Sequence, residues 1–147
     1  AGAQPGRTLH GLDSFQGLPE DWHIQSRGIY STFGEVPEVP SNVQLHVGLF
    51  EDTLPPFVRA HEGPLRFMNV DCDLYSATKT ALDVLGDRVV PGTILVFDEY
   101  LINDWWREDE YKAFQEAVAQ RGWRYEYLAF SLFTGQAVVQ ILGDPRA

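Results

Sequence analysis

Two short acidic strings hold the residues of this chain best suited to chemistry. Asp71, Cys72 and Asp73 follow the apolar run Leu65, Arg66, Phe67, Met68, Asn69, Val70, and Asp98 and Glu99 follow the run Thr93, Ile94, Leu95, Val96, Phe97. Both runs read as strands, and residues 76–88 between them read as a helix, so the strands are expected to be parallel neighbours with their carboxylates at one sheet edge. Carboxylates gathered there repel one another unless protons or a cation neutralise them. A hard divalent metal such as magnesium takes oxygen ligands and keeps positions open for a substrate, so it is the first reading of the cluster.

The elements that must position these acids alternate along the chain. Residues 7–12 form a short strand, followed by a loop rich in Pro, Gly and Ser that runs to Asn42 and is too long for a plain connector. Val43–Val47 is the next strand. Asp52 or Thr53 is expected to cap a helix over residues 54–61, with Pro55 and Pro56 in its first turn. Ser76 is expected to cap the helix after the first acidic string, and Pro91 and Gly92 to form a turn before the strand at 94–97. Residues 108–121 form an amphipathic helix stopped by Gly122, and residues 124–130 and 136–142 an antiparallel pair joined near Thr134 and Gly135. This order predicts an α/β layer protein with a mainly parallel sheet and a C-terminal antiparallel pair, in a single domain over residues 1–147.

Composition narrows the function classes. With 147 residues, 44% hydrophobic and 13% aromatic, the chain can bury one ordinary core. A net charge of -10, from 21 acidic against 11 basic residues with no basic run, argues against nucleic acid and against an anionic membrane surface as partners. One cysteine excludes an internal disulfide, and no run is long and apolar enough for a membrane span or a signal sequence, which makes a cytoplasmic location the expectation.

Four motifs in order resemble one family. The string from Leu12 to Glu20 (LDSFQGLPE), the string GLFEDTLP at 48–55, DCDLYSAT at 71–78 and DEY at 98–100 are similar to the macrocin O-methyltransferase family. The resemblance implies a class I S-adenosylmethionine-dependent enzyme that methylates a hydroxyl of a sugar or aromatic natural product with the help of Mg2+. It also implies a Rossmann-like sheet whose central first strand and glycine-rich turn hold the methionine part of the cofactor. No counterpart of these precedes Arg7, so the resemblance begins at the family's second strand, and the first strand and its helix are expected to be missing. The gap would lie between the strand at 7–12 and the strand at 65–70. Direct pairing of those two strands, or strands from a second copy in a homo-oligomer, would close it, and weak cofactor binding by the isolated chain would follow.

Carried over residue by residue, the resemblance makes Asp13, with Ser14 beside it, the acceptor for the cofactor ribose, where composition alone gives a turn. Gly48, Leu49 and Phe50 match the segment along the adenine. Asp71, Asp98 and Glu99 match the metal ligands, although Glu99 stands where Asp or Asn is more usual. Asp71 or Asp73 would be the base that removes the substrate hydroxyl proton, and Asp73 reads alternatively as a further ligand or a helix cap. Cys72 between two acids reads as a buried, unreactive thiol. Trp22, Trp105 and Trp106 either cover a substrate or anchor their loops; Tyr111, Phe114 and Trp123 read as core, and His10, His23, His46 and His61 carry no assigned role.

Two rival classes accompany this reading. A phosphohydrolase of the haloacid dehalogenase type also places Asp-x-Asp after an apolar strand, but Tyr75 stands where its motif wants Thr or Val. A catalytically silent fragment would keep the fold and the acidic edge without holding the cofactor.

Overall fold

The computed structural model describes residues 7–143, which group into two compact units divided within a helix, after Pro56. The first unit holds strands β1 (Leu9–Asp13) and β2 (Val43–Val47), paired in parallel from Leu9 opposite Val43 to Asp13 opposite Val47. Between them the long loop folds back on itself: Leu18 N–H donates to Ile29 O at 3.0 Å, Gly28 N–H to Leu18 O at 2.9 Å, and Gly34 N–H to Phe15 O at 2.8 Å. Gly17 is required there. Its φ is +74°, and a Cβ would lie 2.3 Å from the Ile29 carbonyl oxygen.

Helix α1 (Phe50–Ala60) begins earlier than the sequence suggests, so Asp52 and Thr53 lie in its first turn rather than at its cap. Thr53 Oγ1 donates to Leu49 O at 2.9 Å. The earlier start moves Pro55 and Pro56 into the helix body, where two missing N–H groups leave the carbonyls of Glu51 and Asp52 without their usual helical donors. The division between the units falls at this weak point.

The second unit is a four-stranded sheet in the order β3-β4-β6-β5, built from β3 (Leu65–Val70), β4 (Val89–Phe97), β5 (Arg124–Phe130) and β6 (Ala137–Leu142). β3 and β4 run parallel, while β6 is antiparallel to both β4 and β5. Among the described residues no ladder joins β1 to β3, so the direct pairing of those strands is not formed. Pro91 and Gly92, expected as a turn before this strand, instead lie within β4, where the register with β3 shifts and Thr93 Oγ1 accepts from Val90 N–H and donates to Leu65 O at 2.7 Å.

Helices α2 (Tyr75–Leu85) and α3 (Glu110–Arg121) belong to the same unit. Leu74, not Ser76, occupies the N-cap of α2, and no side chain caps it. Gly122 ends α3 in the left-handed conformation as its stop signal requires. The core gathers Val70, Leu82, Leu95, Phe97, Tyr100, Phe114 and Val139, with Tyr111 and Trp123 packed against it. Phe97 meets Phe114 at 5.0 Å and Tyr100 at 5.1 Å between ring centres, which ties β4 to α3. Among the described residues no helix is long and apolar enough to cross a membrane.

Candidate functional site

Strand register brings the two acidic strings side by side. Val70 pairs with Phe97 at the end of the parallel ladder, and Asp98 N–H donates to Val70 O at 3.0 Å, one step further on. Asp71 and Asp98 therefore leave neighbouring strands at the same level, with the strands spaced about 4.8 Å apart. Apolar burial holds this level in place, since Val70 and Phe97 are both core residues.

Beyond Asp71 the chain turns sharply. Leu74 N–H donates to Cys72 O at 2.5 Å, closing a three-residue turn with Asp73 at its centre and a φ of +59°. That conformation is a strained one for a residue with a Cβ, and aspartate is among the few side chains that tolerate it. The turn lifts Asp73 out of any capping role and presents it beside the other acids.

The electrostatics show how closely these groups are gathered. Asp73 is raised to about 6 by burial first and then by Asp71, Glu99, Asp98 and Asp109. Glu99 is raised by burial and by Asp98, Asp71 and Asp109, against a lowering from the Asn103 side chain. Burial, with Glu110, Asp73 and Asp71 adding to it, pushes the Cys72 thiol up to about 12 against a lowering hydrogen bond to Thr78. Cys72 is half-buried, with its Sγ 3.3 Å from Thr78 Oγ1, and a thiol raised in this way is a poor nucleophile.

Residues the motifs did not mark brace this edge. Glu110, in the first turn of α3, is fully buried, and its carboxyl is raised to about 8, chiefly by burial and then, more weakly, by Asp73 and Asp71, while hydrogen bonds from the Cys72 and Glu99 amides lower it. Gln136 Nε2, just before β6 on the side of β4 away from β3, donates to Asp98 Oδ1. One sequence signal could have found Glu110: it lies in helical phase with Ala113, Phe114 and Ala117, the buried face of α3, where an acid is out of place.

All five clustered acids, Asp71, Asp73, Asp98, Glu99 and Asp109, offer hard oxygen donors, so the chemistry of the set suits magnesium. The expected trio Asp71, Asp98 and Glu99 is nonetheless not a preformed cage. Among the described residues no three His, Cys, Asp or Glu side chains converge as metal ligands. The Asp98 carboxylate is instead engaged by Gln136, and Asn103 acts on Glu99.

In the first unit, the proposed cofactor residues lie at the ends of β1 and β2. Gly48 N–H donates to Asp13 O at 2.9 Å, which joins the Asp13–Ser14 and Gly48–Phe50 segments at one edge. Asp13 Oδ1 accepts from Phe15 N–H at 2.7 Å and Ser14 Oγ from Gln16 N–H at 3.1 Å, so the turn read from composition is formed. Gly48 has a φ of +147°, and a Cβ would sit 3.0 Å from the Thr53 methyl. Trp22 pairs with Gln25 through the backbone within the loop, and the ring of Trp106 packs edge-on against Tyr111 at 4.8 Å.

Comparison with known proteins gives this geometry a family. The chain is 31% identical over 116 residues, 66% of its length and 43% of the relative's, to an 8-demethyl-8-(2,3-dimethoxy-alpha-L-rhamnosyl)-tetracenomycin-C 4'-O-methyltransferase of Streptomyces olivaceus. The chain thus spans less than half of that curated relative. Among solved structures, the O-methyltransferase NovP superposes with a TM-score of 0.70 at 22% identity, over 94% of this chain and 61% of the other. The calicheamicin methyltransferase CalS11 gives 0.68 at 21% identity, over 93% and 61%. These two likenesses establish the fold. The family profile of macrocin O-methyltransferase (TylF) matches residues 1–120, most of the chain and all four motifs, and on that match the chain belongs to the macrocin O-methyltransferase family.

Proposed function

We propose that the protein transfers a methyl group from S-adenosylmethionine to a sugar hydroxyl of a glycosylated small molecule. The observation that carries this reading is the register of β3 and β4, which sets Asp71 and Asp98 at one level with Asp73 and Glu99 beside them. Family membership favours this reading over phosphoester hydrolysis. The rhamnosyl group in the name of the curated relative supports a sugar rather than an aromatic ring as the acceptor.

When bound, S-adenosylmethionine would supply the methyl group from its sulfonium centre to the acceptor oxygen and be released as S-adenosylhomocysteine. The acceptor proton goes to Asp73. Its carboxyl, raised to about 6, is a stronger base than an ordinary aspartate and is still largely ionised at neutral pH. Asp71 is the alternative proton acceptor. Asp71, Asp98 and Glu99 would hold Mg2+, which lowers the pKa of a hydroxyl it touches. Asp13 would accept from the ribose hydroxyls through its carboxylate while its Oδ1 keeps the Phe15 bond, and Gly48, Leu49 and Phe50 would lie along the adenine.

The test is methyl transfer from labelled S-adenosylmethionine to a rhamnosylated polyketide and to its aglycone. Label on the sugar, lost in Asp73→Asn, is the expected result. Equal labelling of the aglycone would move the acceptor to the aromatic ring, and a protein that binds no cofactor would leave the silent-fold reading in possession.

A further inference from the structure

We propose that Glu110 is a positioning residue, whose carboxyl group ties the segment after β3 to the segment after β4 and so sets the separation of the acids that act on the substrate hydroxyl. Its two oxygens divide between the two segments. Oε1 accepts from Cys72 N–H at 3.5 Å and Oε2 from Glu99 N–H at 3.1 Å. Cys72 lies between Asp71 and Asp73, and Glu99 directly follows Asp98, so these two amides belong to the Asp71–Cys72 and Asp98–Glu99 peptide units, which carry three of the four acids, with Asp73 one residue further on.

The chemistry of the side chain supports the role. Two backbone donors approaching from different strands need an acceptor at each head, and only a carboxyl group offers two. A glutamine would present an amino group to one of the amides. Satisfying two buried amides could be done by water or by neutral groups, yet this chain buries a further carboxyl beside Asp71 and Asp73, at a cost set by burial first and by repulsion second. The base of the tie is also rigid: Ala113, Phe114 and Ala117, on the same face of α3, are buried in the core against β4. The tie crosses 38 residues in one direction and 11 in the other, so no local turn can replace it.

The functional half of this role rests on the acidic-edge reading above, and the experiment separates the two. Amide hydrogen exchange is measured by NMR on the metal-free 147-residue chain and on Glu110→Gln, and MnCl2 is then titrated by calorimetry. Protection at Cys72 and Glu99 should drop about 10-fold in the variant while Leu95 and Val139 keep theirs, and Mn2+ affinity should fall about 10-fold. If Cys72 and Glu99 lose no more protection than Leu95 and Val139, Glu110 is an ordinary core group and the tie is overturned. Unchanged Mn2+ affinity with the two amides released overturns the positioning role, and failure of the unsubstituted chain to bind Mn2+ overturns the metal reading together with that role while leaving the tie itself measured. Should the variant not fold, a through-hydrogen-bond coupling between the Glu99 amide nitrogen and the Glu110 carboxyl carbon in the unsubstituted chain supports the tie, and its absence removes it.

Discussion

The molecule contains two pairs of parallel strands that end in acids, and they are held in different ways. At the end of β1 and β2, Asp13 is engaged by its own turn, through Phe15 N–H, and by the adjacent strand, through Gly48 N–H to its carbonyl. At the end of β3 and β4, the acids are braced by Glu110 and Gln136, which arrive from α3 and from the start of β6. The first edge is a single acid satisfied locally. The second is a group of acids in which Asp73 and Glu99 are raised by burial first and by their neighbours second, and which depends on distant elements to stay together. On the proposed function, this contrast would separate recognition of a neutral hydroxyl pair, which one carboxylate can perform, from proton transfer, which needs a tuned carboxylate among others.

The largest effect expected from this contrast is on turnover. Asp73→Asn should lower kcat by about 10²–10⁴-fold, whereas Asp13→Asn should act mainly on the KM for S-adenosylmethionine. Steady-state kinetics of both variants decide it, and a kcat defect of equal size in the two would erase the distinction between the edges.

A smaller effect concerns pH. The Glu110 carboxyl is raised from an ordinary 4.5 to about 8, so the folded chain holds that proton more tightly than the unfolded chain. The stability this contributes is fully present below about pH 4.5 and is lost as pH rises through about 8, a change of roughly 3–5 kcal/mol. Asp73 acts with the same sign between its ordinary value and about 6. Urea unfolding of the metal-free chain at pH 5 and pH 9 should show the loss, and Glu110→Gln should flatten it. A profile unaffected by that substitution would mean the acid is not held as its burial implies.

Metal should sharpen the same contrast. Excess Mg2+ or Mn2+, at about 100 times its dissociation constant, should stabilise the chain by about 2.7 kcal/mol, a rise in Tm of roughly 5–10 °C. Asp98→Asn should abolish the shift and Asp13→Asn should leave it intact, as read by differential scanning calorimetry. A shift that survives Asp98→Asn places the ion elsewhere. The smallest effect belongs to the local edge: Asp13→Ala removes the Phe15 bond and should cost about 0.5–1.5 kcal/mol in urea unfolding, while Asp13→Asn, which keeps an acceptor, should cost less.

Much of this arrangement is legible in the chain because strand signals and turn residues are local. Val43–Val47, Leu65–Val70 and Arg124–Phe130 stand as their alternation and flanking glycines suggest. The helix starts are less legible. Capping side chains at Asp52 and Ser76 point to positions inside α1 and α2, because packing of Leu54 and of Thr78, Ala81 and Leu82 extends each helix backward past the residue that could have capped it. The double proline in α1 shows the same override, since the helix continues through residues that weaken it.

The chain by itself determines that acids stand at the ends of two apolar strands joined by one helical crossover, and the handed geometry of such a crossover makes those strands parallel. Only the tertiary structure decides what the acids become. Burial, not sequence, raises Asp73 and Glu110, and the ties from Glu110 to Cys72 and from Gln136 to Asp98 each span 38 residues. A period of two or 3.6 residues reports which face a side chain takes; it carries no information about which distant backbone amide that side chain will meet.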